Sequence, residues 1–110
     1  MGKFIYGVNG YELELDDRVL AHVKIAMFTK LRRNESFSFS WRTESESGGR
    51  HSVWVSPSSM IHFEFESSDR PALNRHWVRD MINSANNGDL MLTSEPPEGR
   101  TPDDPTQGRW

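Results

Sequence analysis

Residues 36–42 read Ser-Phe-Ser-Phe-Ser-Trp-Arg, and this strict two-residue alternation constrains the fold more than any other stretch. Strand side chains point to opposite faces in turn, so Phe37, Phe39 and Trp41 share one face while Ser36, Ser38 and Ser40 share the other. The pattern is that of a half-buried strand. It returns in Ile61, Phe63 and Phe65 against His62, Glu64 and Glu66, which predicts a sheet with a single apolar face.

The flanking segments supply the second layer. Residues 3–8 and 11–15 surround Asn9-Gly10, the dipeptide that most readily takes the two positive φ angles of a type I′ hairpin. Such a turn sets Val8 against Tyr11, Tyr6 against Leu13 and Phe4 against Leu15. On the other face the pattern pairs Lys3 with Glu14 and Ile5 with Glu12. Asp16 and Asp17 then open a segment free of Gly and Pro that runs to Arg33, acidic at its start and basic at its end, as a helix dipole favours. Leu20, Val23, Met27 and Leu31 recur at helical spacing, with Ile25 and Phe28 widening the stripe, and Asn34 ends the helix.

Two further strands, 50–56 and 60–66, are expected about Pro57-Ser58-Ser59. Aligning their apolar faces places Phe39 near Val53 and Val55 near Ile61, leaving Ser38, Trp54 and His62 in a row on the opposite face. Ser68 or Asp69 can cap a second helix with Pro71 in its first turn, presenting Leu73, Trp77, Met81 and Ala85 on one face. Asn87-Gly88 stops that helix and residues 90–92 add a last strand. The expected fold is therefore α+β: two layers, a mostly antiparallel sheet with both helices on one face, in the order ββαβββαβ. Residues 1–93 form the single domain. Residues 94–110 hold four of the six prolines and no aliphatic residue, so they are expected to be a disordered, Pro-rich acidic tail.

Composition removes several function classes. The 110 residues include no cysteine, which excludes disulfides and thiolate metal sites. The first residues lack a secretory pattern, Tyr6 stands where a myristoylation signal needs Ser or Thr, and no apolar run approaches the roughly 20 residues that span a bilayer. A cytoplasmic location without membrane contact is expected. The net charge is −3, of which −2 falls in residues 94–110, so the body lacks the basic excess of a general nucleic-acid binder.

No motif fixes a reaction. The thirteen serines include no Gly-x-Ser-x-Gly elbow, and His62-Phe63-Glu64 matches only the His-x-Glu half of a zinc deaminase signature, whose other half needs cysteines. The four histidines are spaced without convergence, and we assign no metal, no cofactor and no catalytic residue. What remains is a binding role. Ser38, Trp54 and His62 are the candidate binding residues, facing a protein partner or a second copy, unless a loop or the tail covers Trp54. The alternative is contact with phosphate or DNA through Lys30, Arg32, Arg33 and Arg42, although the first three also suit a solvated helix end.

A resemblance is carried by Met-Gly-Lys-Phe-Ile-Tyr-Gly at the start, Asp-Arg-Val-Leu-Ala-His-Val-Lys at 17–24, Lys-Leu-Arg-Arg-Asn-Glu-Ser-Phe-Ser-Phe-Ser-Trp at 30–41 and Arg-Pro-Ala-Leu-Asn-Arg-His-Trp-Val at 70–78. Over about residues 1–97 the chain resembles a family of short uncharacterised actinobacterial proteins, often labelled ATP-dependent DNA ligase. That label implies a nucleophilic lysine in Lys-x-Asp-Gly. Lys3, Lys24 and Lys30 are the only lysines and none begins that motif, so no ligase residue carries over and an accessory role in DNA metabolism is what the resemblance leaves.

Overall fold

The computed structural model describes residues 1–43 and 48–98. The end of the expected tail, residues 99–110 with Trp110, lies outside the described residues. The elements follow the expected order ββαβββαβ: β1 Gly2–Tyr6, β2 Tyr11–Leu15, α1 Asp17–Arg32, β3 Phe37–Arg42, β4 Arg50–Val55, β5 Ile61–Glu64, α2 Arg75–Asn86 and β6 Asp89–Met91. The strands divide between two three-stranded sheets, ordered β2-β1-β5 and β4-β3-β6, and only the β3–β6 pair is parallel. The helices pack on each other, α1 also against β1 and α2 against β3 and β6. No helix among the described residues is long and apolar enough to cross a membrane.

Pairing differs from expectation at two places. In the first hairpin Phe4 opposes Leu13 and Tyr6 opposes Tyr11, while Lys3–Glu14 and Ile5–Glu12 pair as expected. Gly7 and Gly10 take positive φ (82° and 72°) and Asn9 does not, so the turn is centred on Val8-Asn9, with the Gly10 N–H donating to the Gly7 carbonyl at 3.1 Å. The shift of two residues keeps every side chain on its face. It also leaves Val8 in solvent.

The second difference is the absent β4–β5 hairpin. Residues 56–60 turn on Ser56 and Ser59 and carry the chain out of one sheet into the other, so Val55 and Ile61 are not partners. Strand β5 pairs with β1 instead, Phe63 opposite Phe4. Burial explains the choice. Phe63 meets Phe4 and Phe28 at 5.4 Å each, and Phe4 meets Phe39 edge-on at 5.4 Å, which ties the two sheets into one aromatic core.

The core comprises Phe4, Leu20, Val23, Met27, Phe37, Phe39, Val55, Trp77, Met81 and Leu90. Close approach fixes Gly2: a Cβ there would stand 2.6 Å from the Glu64 carbonyl oxygen. Helix α1 starts on the Asp16 carboxylate, which accepts from the Arg18 N–H, and ends at Asn34 (φ 62°). There the Asn34 N–H donates to Leu31 and the Glu35 N–H to Lys30, closing the last carbonyls. Ile25 is exposed and falls outside the buried stripe.

Helix α2 begins at Arg75, later than the Ser68 or Asp69 cap expected from sequence. Its cap is Asn74, whose side-chain oxygen accepts from the His76 and Trp77 N–H groups. Pro71 and Leu73 therefore precede the helix and Leu73 is exposed, while Trp77, Met81 and Ala85 are buried as expected.

Candidate functional site

The row Ser38, Trp54, His62 is not one row. Ser38 and Trp54 are direct partners across β3 and β4, but His62 stands opposite Ile5 in the other sheet. Because β5 joins β1 instead of β4, the alignment that would have brought His62 alongside does not exist. Ser38 is also committed internally. Its hydroxyl donates to Asp89 Oδ1 at 2.6 Å, and Ser40, itself buried, donates to the same oxygen at 2.7 Å while exchanging a hydrogen bond with Ser52. These serines hold the parallel β6 strand on β3. Their alternating pattern therefore has a structural use.

The basic residues do not assemble either. Lys30 is 5% exposed and its ammonium donates to Asn86 Oδ1 at 2.5 Å and pairs with Glu35 at 2.8 Å, so it joins the C-terminal ends of the two helices. That contact holds the Glu35 carboxyl below its usual range. Arg32 and Arg33 are exposed beside it. Arg42 stands at the far end of β3, about 16 Å of strand beyond Phe37 at ~3.3 Å per residue.

Two other features are better formed, one around Trp54 and one that no sequence pattern singled out. The first is an apolar tip. The Tyr6 hydroxyl donates to the Trp54 carbonyl oxygen, and the Gly7 N–H donates to the Met60 carbonyl at 2.8 Å. These contacts hold the main chain at Trp54 and Met60 to the end of β1, where Val8 follows; Val8, Trp54 and Met60 are 88%, 60% and 63% exposed, the most exposed large apolar residues apart from Met1. Large apolar side chains exposed so near one another along the main chain are a candidate contact surface. Its only sequence signal was Trp54 on the polar face of a strand.

The second is a polar junction where α1, α2 and residues 94–96 meet. His22 is fully buried, with Nδ1 2.7 Å from the Arg18 carbonyl and Nε2 accepting the Asn74 N–H at 2.7 Å. Since Nε2 must accept, the ring is neutral with its proton on Nδ1. Arg18 grips Glu95 through two parallel bonds of 2.8 Å and reaches the Ala72 carbonyl with its remaining nitrogen. The Asn74 amide adds bonds to Glu95 Oε2 and the Pro96 carbonyl. The Arg18 bond, then that of Asn74, holds the Glu95 carboxyl at about 2, against 4.5 ordinarily. Glu95 and Pro96 stand in the stretch assigned from composition to a tail, and here they are held to both helices.

That junction has a pH signature. A depressed carboxyl stabilises the folded arrangement at pH above its free value and loses that contribution as pH falls toward the folded one. The attachment of residues 94–96 is therefore expected to weaken between about pH 4.5 and about 2. Backbone chemical shifts of residues 94–98, followed against pH by NMR, check this. Glu95→Gln should move these shifts at pH 7 and flatten their pH dependence, and unchanged shifts in that variant would contradict the assignment. Asp17, lowered by the Glu66 and Ser67 N–H groups, titrates in the same direction but at the β5 end, so residue-specific shifts separate the two.

Among the described residues no group of three His, Asp or Glu side chains could hold a metal ion. His51 stacks on Trp41 at 5.4 Å and His76 lies 3.6 Å from Asp80 on the surface of α2. The chain belongs to the family described as Domain of unknown function (DUF7882), whose family model matches residues 1–95 and so reaches Glu95. No curated protein and no solved structure matches it.

Proposed function

We propose that the protein is a small binding or assembly module without catalytic function, and that the Val8, Trp54 and Met60 tip is the surface by which it meets a second copy or another protein. The observation that carries this reading is the tip itself: two hydrogen bonds from neighbouring residues at the end of β1 hold the main chain at Trp54 and Met60, and Val8, Trp54 and Met60 all stand exposed there. Covering such side chains is the main source of affinity in small protein contacts, and tryptophan is favoured among residues that dominate them. A DNA-directed reading would need Lys30, Arg32, Arg33 and Arg42 on one surface, and their placement gives it no support.

The test is the solution mass by light scattering across a concentration series, for the wild type and for Trp54→Ala. Because Trp54 is 60% exposed, its loss should change stability by no more than about 0.5 kcal/mol. Concentration-dependent association in the wild type that disappears in Trp54→Ala, at an unchanged melting temperature, is the expected result. A large fall in melting temperature with association intact would refute the assignment of Trp54 to the contact.

A further inference from the structure

We propose that the seam between the two sheets is a slot for an extended peptide, which adds antiparallel to β2, sinks apolar side chains between the sheets and sets its carboxyl terminus at Arg42. This surface is separate from the Trp54 tip. The seam holds an open cleft of about 970 Å³, at the upper end of the roughly 300–1,000 Å³ usual for ligand sites. Consecutive residues line it, Leu13, Glu14 and Leu15 on one side and Met91, Leu92 and Thr93 on the other. Alternate residues of a strand face opposite ways, so a wall built from neighbours in sequence is formed by the edge of the strand and its main chain. The cleft thus runs between the edge of β2 and the end of β6 with the residues that follow it.

Only one of those edges is available. On β6 the Ser84 hydroxyl donates to the Asp89 carbonyl at 2.5 Å and accepts the Met91 N–H at 3.2 Å, which closes that edge from α2. Strand β2 is the outer strand of its sheet, and among the described residues its main chain bonds only to β1. Edge main chain beside apolar side-chain pockets is the arrangement by which sheets capture extended peptides. Trp41, Leu13, Leu15 and Val19 supply the apolar lining.

Charge selects the direction. The Trp41 ring meets Tyr11, at the start of β2, at 6.1 Å, and Arg42 follows it in β3. Asp16 follows Leu15 at the other end of β2 and also lines the cleft, as does Glu14. A peptide antiparallel to β2 ends its chain beside Tyr11 and Arg42 and begins it beside Asp16, so each terminus meets the opposite charge. A parallel one would meet like charge at both. Arg42 has no ion-pair partner among the described residues, and a guanidinium matches a carboxylate through two parallel bonds.

The test uses the full chain and a hexapeptide of alternating leucine and threonine, with a free carboxylate or as the C-terminal amide, and dodecanoate as the competing apolar acid. Titrations are followed by calorimetry and by backbone amide shifts. The expected result is saturable binding that shifts the 12–15 and 91–94 amides, with the amide form about fivefold weaker. Arg42→Ala should bind both forms alike, and Trp54→Ala should bind as the wild type does, which separates this slot from the tip. Equal binding of carboxylate and amide by the wild type overturns the proposal. So does the absence of saturable shifts on β2 at millimolar peptide, or dodecanoate producing those shifts when the peptide does not.

Discussion

Replacing His22 by alanine is expected to cost about 3–4 kcal/mol of folding stability, measured as the shift in the urea midpoint at an unchanged slope. Three losses combine. The buried Asn74 N–H loses its acceptor, Nε2 of His22, and the N–H belongs to the residue that caps α2. The Arg18 carbonyl loses its partner on Nδ1, and the Trp77 ring loses a neighbour whose centroid lies 4.7 Å away. An unsatisfied buried donor costs about 1–3 kcal/mol and the emptied ring volume adds to that. His76 provides the control, since it lies on a helix too but its side chain is 43% exposed and its ring pairs with Asp80 on the surface. His76→Ala should stay within about 0.5 kcal/mol of the wild type. Equal effects in the two variants would remove the central role given to His22.

That contrast marks how far the sequence could be read. Both histidines sit in helical segments recognisable by periodicity, and sequence spacing alone does not tell them apart. Nothing in local spacing could say that His22 reaches Asn74, because the contact spans 52 positions and depends on how α1 and α2 cross. The elements themselves were legible because each obeys a local rule: alternation in β3, dipole-matched ends in α1, Asn87-Gly88 after α2. Strand partnership was less so. Phe63 alternates as well for a partner in β4 as for one in β1, and the choice was settled by Phe4 and Phe28, which are distant in sequence.

The same limit explains the candidate residues. Ser38 lies on the polar face as alternation requires, yet its hydroxyl serves Asp89, 51 positions away, and Lys30 looked like a solvated helix end until Asn86 and Glu35 closed on it. Composition gave no sign of the contact at Glu95, where a proline-rich stretch carries a bidentate Arg18 bond. Trp54 was flagged by a large ring in a polar register, and its 60% exposure keeps that local contradiction in place, which is what the proposed contact rests on.

Trp77→Ala should be the other costly change, with a loss of about 4 kcal/mol, and its comparison with Trp77→Phe carries more information than the loss itself. Trp77 is 2% exposed in the first turn of α2, where its ring packs on His22 of α1. Its indole N–H has no hydrogen-bond partner, the one buried side-chain polar atom so placed among the described residues. Alanine removes the packing and the orphaned donor together, so packing dominates. Phenylalanine keeps most of the ring volume and removes the donor, whose burial without a partner costs about 1–3 kcal/mol. The two effects oppose each other, and Trp77→Phe is expected to fall within about 1.5 kcal/mol of the wild type. If the Phe variant loses as much as the Ala variant, the indole nitrogen is bonded in solution and the ring is retained for that bond. A small loss instead identifies the ring as a space-filling element whose volume, through His22 and Asn74, fixes how α2 begins and where residues 94–96 are held.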